Sequence, residues 1–427
     1  MAKERVFIRE VRDYDPIVIG NVIGEGLEEF GLNGSRVPRI TIKPNTVMAH
    51  HALAPSAYTR PEFLDGLIQA LHAGSNSVPK ISIAEKCGAG IPTSRMFRRA
   101  GYYRLKKKHN IRLLPIEEAR KKKISLHKGK IHSHITTSRE IVDNDLLIYT
   151  PKLKSNSLAH GLTAAVKLNV GILCDRERMW NHNHNLDVKI VDLLEVGFPD
   201  FIATDAVEIS LGGNHLTQHG YPLGVIVMAT NPVAHDSVCA RIFNLDPFDI
   251  PHLRLAYERG YGPLDLSKID IQGDLSLHAI QNKTKGWKTG FIRADDVECG
   301  INVISGEPYC TGGCHGVFLD WLHMIKDRKP DLWKKLPAWT AVIGKYKGDI
   351  SAERVLIIGS CSEIQGRINA KKVRRIKGCP PKHKDLVLWM FFKTGIVNPM
   401  FRLDLIIDAY PLLFLCWMRR LFKGRFS

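Results

Sequence analysis

Five of the nine cysteines fall between Cys299 and Cys379, and their spacing is the strongest chemical signal in the chain. Cys310-Thr-Gly-Gly-Cys314 puts two thiols on one loop, whose glycines let the backbone wrap tightly around a metal or cluster. Cys361 follows the strand-like run Val355–Gly359, and Cys379 stands in Gly378-Cys379-Pro380-Pro381. Four thiolates on three separated loops can converge on one centre. Thiolate sulfur is soft and suits zinc or an iron–sulfur cluster. Structural zinc sites usually join two short Cys-x-x-Cys-like knuckles, whereas here one close pair meets two isolated cysteines. The Cys379-Pro380 step also has the form that closes cluster runs in bacterial ferredoxins. The expected cofactor is a [4Fe-4S] cluster on Cys310, Cys314, Cys361 and Cys379; zinc and metal-free buried thiols are the alternatives. Cys299 could replace Cys310 or simply lie nearby. Cys87 sits in a turn where a small residue also serves, and Cys174, Cys239 and Cys416 have apolar neighbours that suit core packing.

A second set of polar residues lies upstream. Lys43, Lys152, Lys154 and Lys167 can form an anion pocket, each acting as a point charge towards carboxylate or phosphate, with Asn45 and Asn169 as the amides that orient a ligand. The alternative is four solvated lysines. Trp180-Asn-His-Asn-His-Asn185 is the densest polar group, and with an ordinary pKa near ~6.5 a histidine there can move protons or bind a metal. His182, His184 and Lys167 are the catalytic candidates; an exposed His/Asn loop is the competing reading. His182 and His184 would share a face on a strand but not on a helix. Asp192, Asp205 and Asp236 can orient these groups or cap helices. There is no nucleophile elbow, Walker loop, Gly-x-Gly-x-x-Gly after a strand, or His-Glu-x-x-His, so hydrolase, kinase and simple nicotinamide-dehydrogenase chemistry lack their usual supports.

The elements that must position these residues alternate. Ile40–Ile42, Lys80–Ala84, Ile111–Leu114, Leu146–Tyr149, Phe201–Thr204 and Gly224–Met228 read as strands. Between them come a helix whose Phe63, Leu64, Leu67, Ile68 and Leu71 share one face, opened by a Thr59-Arg60-Pro61-Glu62 capping box, and a helix-like stretch Val188–Val196. This is an α/β pattern, a mostly parallel sheet covered by helices, and sites in such sheets gather at the carboxyl ends of strands, where Lys43, Asn45, Lys152 and Lys154 fall. The organisation expected is an α/β body over 1–275, a polar aperiodic connector over 276–295, a smaller cysteine-rich domain over 296–400, and a basic apolar tail over 401–427. No internal repeat is evident.

In 427 residues, 61 Lys and Arg against 43 Asp and Glu give a net charge of +18. The segment 101–130 contributes +9 and 301–427 contributes +12, leaving a slightly acidic body. Lys106–Lys108 and Lys121–Lys123 lack the interleaved aromatics of a single-strand binder, so a nucleic-acid partner is not expected and a solvated surface is. Lys371–Lys377 immediately precedes Cys379, where positive charge favours thiolates. The N-terminus has no secretory or transit character, and Ala409–Met418 is short of a bilayer span, so a cytoplasmic protein is expected.

Ile42-Lys43-Pro44-Asn45, Pro151-Lys152-Leu153-Lys154, the stretch Leu162–Gly171 with Lys167 and Asn169, then His184, Asp192, Asp205 and Asn231-Pro-Val-Ala-His-Asp236 together resemble the blocks of the domain-of-unknown-function 362 family (DUF362), over about residues 39–273. The resemblance implies the α/β fold and association with an iron–sulfur module. Members often carry a ferredoxin-like insertion with two Cys-x-x-Cys-x-x-Cys runs; this chain has none and is similar instead to a single-cluster arrangement ending in Gly-Cys-Pro-Pro. Thr59-Arg60-Pro61 and the elements after it are also similar to the N-terminal domain of nickel-pincer lactate racemases, which implies a small anionic substrate or phosphorylated cofactor near the strand ends.

The function expected is that of an iron–sulfur protein with redox activity, its cluster coupled to a small anionic substrate or cofactor in the α/β body. One alternative is an electron-transfer or binding module that docks on an acidic redox partner protein or, through 401–427, on a membrane surface. The other is a non-redox isomerase or ligase with a structural cluster.

Overall fold

The structure is a computed structural model and describes residues 3–32, 38–51, 54–74, 78–88, 90–156, 158, 160–212, 220–288 and 293–395, with Leu403, Phe414, Leu415, Met418 and Leu421 beyond. The rest of the expected tail over 401–427, Cys416 included, lies outside the described residues.

Fifteen strands are present among the described residues: β1 (Glu4–Glu10), β2 (Arg39–Pro44), β3 (Lys80–Glu85), β4 (Arg112–Pro115), β5 (Lys121–Ser125), β6 (His134–Ser138), β7 (Leu146–Thr150), β8 (Lys152–Lys154), β9 (Phe201–Ser210), β10 (Gly220–Ala229), β11 (Ile269–Gly273), β12 (Ile301–Ser305), β13 (Trp339–Tyr346), β14 (Ile350–Ile364) and β15 (Ile368–Ile376). The large sheet runs β11-β1-β10-β9-β7-β2-β3-β4, with β8 joined to β9. It is parallel except where β10 lies antiparallel to β1 and β9. The fold is thus α/β with a mostly parallel sheet, as the alternating pattern predicts, and it gains an N-terminal strand that Arg-Val-Phe-Ile-Arg did not announce. β5 and β6 form a separate hairpin, and Lys122 of β5 pairs with Asp143 at the end of the short helix that follows β6.

Both faces of the large sheet are covered. Along β10, Ile226 and Met228 enter one apolar cluster with Ile19, Ile23, Phe63 and Leu67 of the helices Pro16–Glu29 and Pro61–Ala73. Val225, Val227 and Ala229 enter the other, with Ile190, Val191, Val233 and Val238. This alternation is the strand's two-residue period made visible. Asn231 caps the helix Pro232–Ile242 by accepting from Val233 and Ala234 N–H groups. The capping box expected at Thr59 does not form: the helix starts after Arg60 with no side-chain cap. Thr59 instead accepts from the Asn45 N–H at 3.0 Å and donates to the Thr150 carbonyl at 2.6 Å, because it is buried between the ends of β2 and β7. The helix-like Leu162–Gly171 is shorter than its pattern, a single turn Ala165–Leu168 followed by the tighter Asn169–Ile172. Within 276–295, Ser276 caps a helix Leu277–Thr284 that seats Ile280 in the core.

The C-terminal sheet is wholly parallel, in the order β12-β13-β14-β15. From β13 onwards no helix separates the strands; the chain coils, so that Val355 pairs with Thr340 and Ile368 with Ile350. The eighteen-residue register between β14 and β15 exposes an internal repeat absent from the sequence reading: Gly348, Ile350, Ala352, Val355 and Ile358 recur as Gly366, Ile368, Ala370, Val373 and Ile376. Charged substitutions between these anchors mask it. Ser305, Ile343, Ile358 and Ile376 form one transverse row, and just beyond it stand Gly306, Gly344, Gly359 and Gly378, with Gly344 and Gly359 at a register shift inside β13 and β14. The chain just past three of these glycines carries Cys310, Cys361 and Cys379. Gly344 and Gly359 have φ of +84° and +103°, and a Cβ on Gly359 would stand 2.8 Å from Cys314 Sγ. Gly359→Val should therefore lower stability by about 2–4 kcal/mol, through backbone strain and overpacking together, read as the shift of the urea unfolding midpoint.

Candidate functional site

A cavity of about 490 Å³ opens at the carboxyl ends of β2, β3 and β8. Lys43, Asn45, Glu85, Lys86, Lys154, Lys167, Arg178, His182 and Asp320 supply its polar lining, with Met48, Ile91, Leu158, Val317, Trp321 and Met324 among the apolar walls. Strand ends collect these side chains because parallel strands stop in register there.

Most of the cations are already engaged. Lys43 Nζ pairs with Glu85 Oε1 at 2.9 Å, both side chains buried. Glu85 also accepts from the N–H groups of Thr46 at 3.1 Å and Lys86 at 2.8 Å. Burial lowers the Lys43 pKa and raises that of Glu85, while each partner opposes the shift in the other. Lys86 donates to the carbonyls of Cys87, Gly88 and Ile91. Arg178 donates to those of Lys86, Cys87 and Val170, clamping the β3 exit loop. Lys154 donates to Asn45 Oδ1 at 3.1 Å and to the Ala57 carbonyl at 2.7 Å. Its pKa is lowered to about 7, first by burial and then by the charges of Lys167 and Lys152. Lys167 makes no hydrogen bond or ion pair among the described residues; burial brings it to about 8 against the pull of Asp320 and Asp187.

The single turn that carries Lys167 is held from beneath. Asp236, fully buried, accepts from the Ala165 and Val166 N–H groups at 2.8 Å each and from His235 Nδ1 at 2.7 Å. His235 Nε2 in turn meets Thr204 Oγ1 at 2.8 Å. The Asn-Pro-Val-Ala-His-Asp block therefore acts at a distance: Asn231 starts its helix, and Asp236 fixes the turn that aims Lys167.

A second, smaller cavity lies alongside. Cys310, Cys314, Cys361 and Cys379 line it together with Asn183, His184, His315, Gly313 and Pro380. The spacing argument thus finds its four cysteines around one space. Cys310 and Cys314 thiols are each pushed up to about 12, mainly by burial and also by the other thiols of the set. Such mutual repulsion is relieved by a bound cationic centre, which is the condition a metal or cluster satisfies. Among the described residues no three His, Cys, Asp or Glu side chains are gathered tightly enough to grip a single ion. Cys299 is apart, its Sγ within 3.5 Å of the Ile301 backbone, and does not line the cavity.

Two elements serve both cavities. The helix Cys314–Arg328 presents Cys314 in its first turn to the small one and Val317, Asp320, Trp321 and Met324, spaced as one helical face, to the large one. The loop Trp180–Asn185 does the same. His182 lines the large cavity and Asn183 and His184 the small one, and Asn183 Nδ2 reaches Cys379 Sγ at 3.4 Å. His182 Nδ1 lies 2.7 Å from the Gly312 carbonyl, which can only accept, so Nδ1 carries the proton and Nε2 is left as an acceptor. Burial and nearby cations depress its pKa to about 3, so it stays neutral. Lys189 donates to the carbonyls of Glu177, Arg178 and Trp180 and pins the start of this loop.

Of the other expected pocket residues, Lys152 lies outside the large cavity, paired with Asp205 at 3.0 Å and Tyr14 at 2.6 Å. Asn169 also lies outside it, accepting from the Tyr149 hydroxyl at 2.5 Å. Asp192 receives the N–H groups of Lys130, Ile131 and His132. Glu85, Lys86, Arg178 and Asp320 were absent from the expected set. Glu85-Lys86 carried a signal, since the strand-end rule that selects Lys43 applies equally to β3; Asp320 carried none, because it comes from a distant helix.

Asp236→Ala should cost about 3 kcal/mol by stranding His235 and two N–H groups, and should loosen the Lys167 turn; urea unfolding monitored by intrinsic fluorescence measures it.

Comparison with known proteins bears on the body. The thylakoid-associated protein sll1697 of Synechocystis sp. is 26% identical over 249 residues, covering 56% of this chain and 74% of that protein. The lactate racemase apoprotein of Thermoanaerobacterium thermosaccharolyticum aligns over 79% of this chain and 69% of its own, at a TM-score of 0.38 and 11% identity. The stretch that supplies the cavity's lysines, residues 40–241, matches the family described as "Domain of unknown function (DUF362)".

Proposed function

We propose that the chain is an iron–sulfur protein of redox function, in which a [4Fe-4S]-type cluster on Cys310, Cys314, Cys361 and Cys379 works with a small anionic substrate or cofactor held in the large cavity. The observation that carries this reading is the shared helix Cys314–Arg328: the span from Cys314 to Trp321 is about 10 Å of helix axis, so one rigid element touches both spaces. The donor set supports a cluster. One close cysteine pair joined by two isolated cysteines departs from the two-knuckle pattern of structural zinc sites and favours a cluster. When bound, such a cluster supplies one-electron transfer. The chain's own residues do the rest. Lys154 and Lys167 offer positive charge to the anion, Trp321 and the methionines exclude water, and Asn183 donates towards the Cys379 sulfur, which stabilises its thiolate. The described cysteines form no disulfide, which is in keeping with a reducing compartment. Anaerobically purified protein should contain about four iron and four sulfide per chain, and Cys379→Ser should lose most of both. Zinc without iron would overturn the cluster.

A surface-docking role has its own support. The helix His383–Thr394 exposes Leu388, Phe391 and Phe392, the last at 69%, directly after the basic strand β15. Among the described residues no helix is long and apolar enough to cross a membrane, so the contact would be peripheral. The similar protein of Synechocystis sp. is described as thylakoid-associated, which favours a membrane-surface role. Flotation with phosphatidylglycerol vesicles should show binding that weakens with salt and is lost in Phe392→Asp; protein that stays at the bottom at low salt would remove this role.

A further inference from the structure

Among the described residues, the large cavity holds one amine that makes no hydrogen bond or ion pair. Counting donors makes this concrete, since an ammonium has three. Lys86 spends all of its donors on three carbonyls and also faces Asp175 at 3.1 Å. Lys43 spends two, on Glu85 and the Pro44 carbonyl, and Lys154 two, on Asn45 and the Ala57 carbonyl. Lys167 spends none among the described residues, although Asp236 and the Ala165 and Val166 N–H groups hold its turn rigidly in place. A lysine that is preorganised, only partly exposed and without a hydrogen bond or ion pair among the described residues is not explained by stability. It is explained by a ligand that completes it.

We infer that Lys167 forms a reversible imine with a small 2-oxo carboxylic acid bound in the large cavity. The inference rests on that cavity being the substrate site of the reading above and names the chemical class of the substrate. The carbonyl carbon meets the Lys167 amine, and the carboxylate takes the spare donors of Lys154 and Lys43. The apolar substituent lies against Met48, Leu158, Trp321 and Met324. In the reaction the nitrogen lone pair attacks the carbonyl carbon, a C–N bond forms, and the π electrons move to oxygen, which takes a proton. The nitrogen gives up a proton, then its lone pair expels the hydroxyl group, which takes a second proton and leaves as water, and the iminium so formed releases its remaining N–H proton to give the imine. Amine and ketone thus become imine and water, with no oxidant or reductant consumed.

The groups facing Lys167 set the pH at which this occurs. Asp320 and Asp187 favour its charged form, Arg178 opposes it, and Lys154 and His182 share the cavity. With the amine at about 8, its neutral fraction at that pH exceeds that of an exposed lysine by roughly a hundredfold. The carboxylate binds best while Lys154 is protonated, below about 7, whereas attack needs Lys167 neutral. Imine formation should therefore pass through a maximum between about pH 7 and 8, rising as Lys167 loses its proton and falling as Lys154 loses its own.

The test uses the purified full chain with pyruvate or phenylpyruvate and sodium cyanoborohydride, which reduces the imine to a stable secondary amine. Intact mass should show one adduct, and peptide mapping should place it on Lys167, formed at least about tenfold faster than on any surface lysine. Lys167→Ala and Lys167→Arg should both lose it, the arginine variant checked for native circular dichroism so that misfolding is not mistaken for loss of the amine. Adducts spread evenly over surface lysines, or an unchanged adduct in Lys167→Arg, would overturn the inference. Iron measured on the same sample separates the two readings: iron-free protein that labels at Lys167 keeps the imine and removes the cluster, and iron-loaded protein that does not label does the reverse.

Discussion

A buried ammonium group must be given partners, and this requirement organises the body of the protein. Lys43, Lys86, Lys152, Lys154 and Lys189 are all sealed from solvent, and each is tied to carboxylates, amides or backbone carbonyls on neighbouring segments. Desolvating such charges is expensive, so each is retained only where the surrounding loops converge on it. Lys43 brings the ends of β2 and β3 together through Glu85. Lys152 anchors β8 to β9 through Asp205 and reaches the N-terminal segment through Tyr14. Lys189 closes the end of a short helix and sets the loop that separates the two cavities. The strand ends are held open as a cavity by bonds that would not exist if these positions were apolar.

This explains why the lysine positions could be picked from sequence while their roles could not. A lysine just past a predicted parallel strand is placed by the fold, and Lys43, Lys154 and Lys167 all line the cavity. Whether its partner is a ligand or the protein depends on residues remote in sequence. Asp205 claims Lys152 from more than fifty residues away, and nothing in the local Pro-Lys-Leu-Lys pattern distinguishes the lysine that is claimed from the one that faces the cavity. His182 and His184 show the same limit. Their spacing gives a shared face on a strand and separate faces on a helix; on the irregular loop that carries them they enter different cavities.

The cysteine spacing was more legible because its geometry is local to a coil. Cys310 and Cys379 follow β12 and β15, Cys361 sits at the register shift inside β14, and the helix start at Cys314 completes the set. The eighteen-residue repeat was not legible, since only one glycine and four aliphatic residues recur, while the positions between them change freely, as from Asp349 to Arg367 and from Leu356 to Arg374. The helix Leu277–Thr284 was hidden for a similar reason: among its eight residues Ile280 and Thr284 alone are buried, too few to set up a periodic signal.

The helix Cys314–Arg328 has a thermodynamic consequence. Any filling of the cysteine cavity that shifts this helix changes the fit of whatever occupies the lysine cavity, and linkage requires the effect to be equal in both directions. A ligand that binds more tightly when the cysteines are loaded must tighten the loading by the same factor. The loop Trp180–Asn185 gives that coupling a second route, from Cys379 through Asn183 to His182. Occupancy of one compartment can then be sensed in the other with no movement of the large sheet.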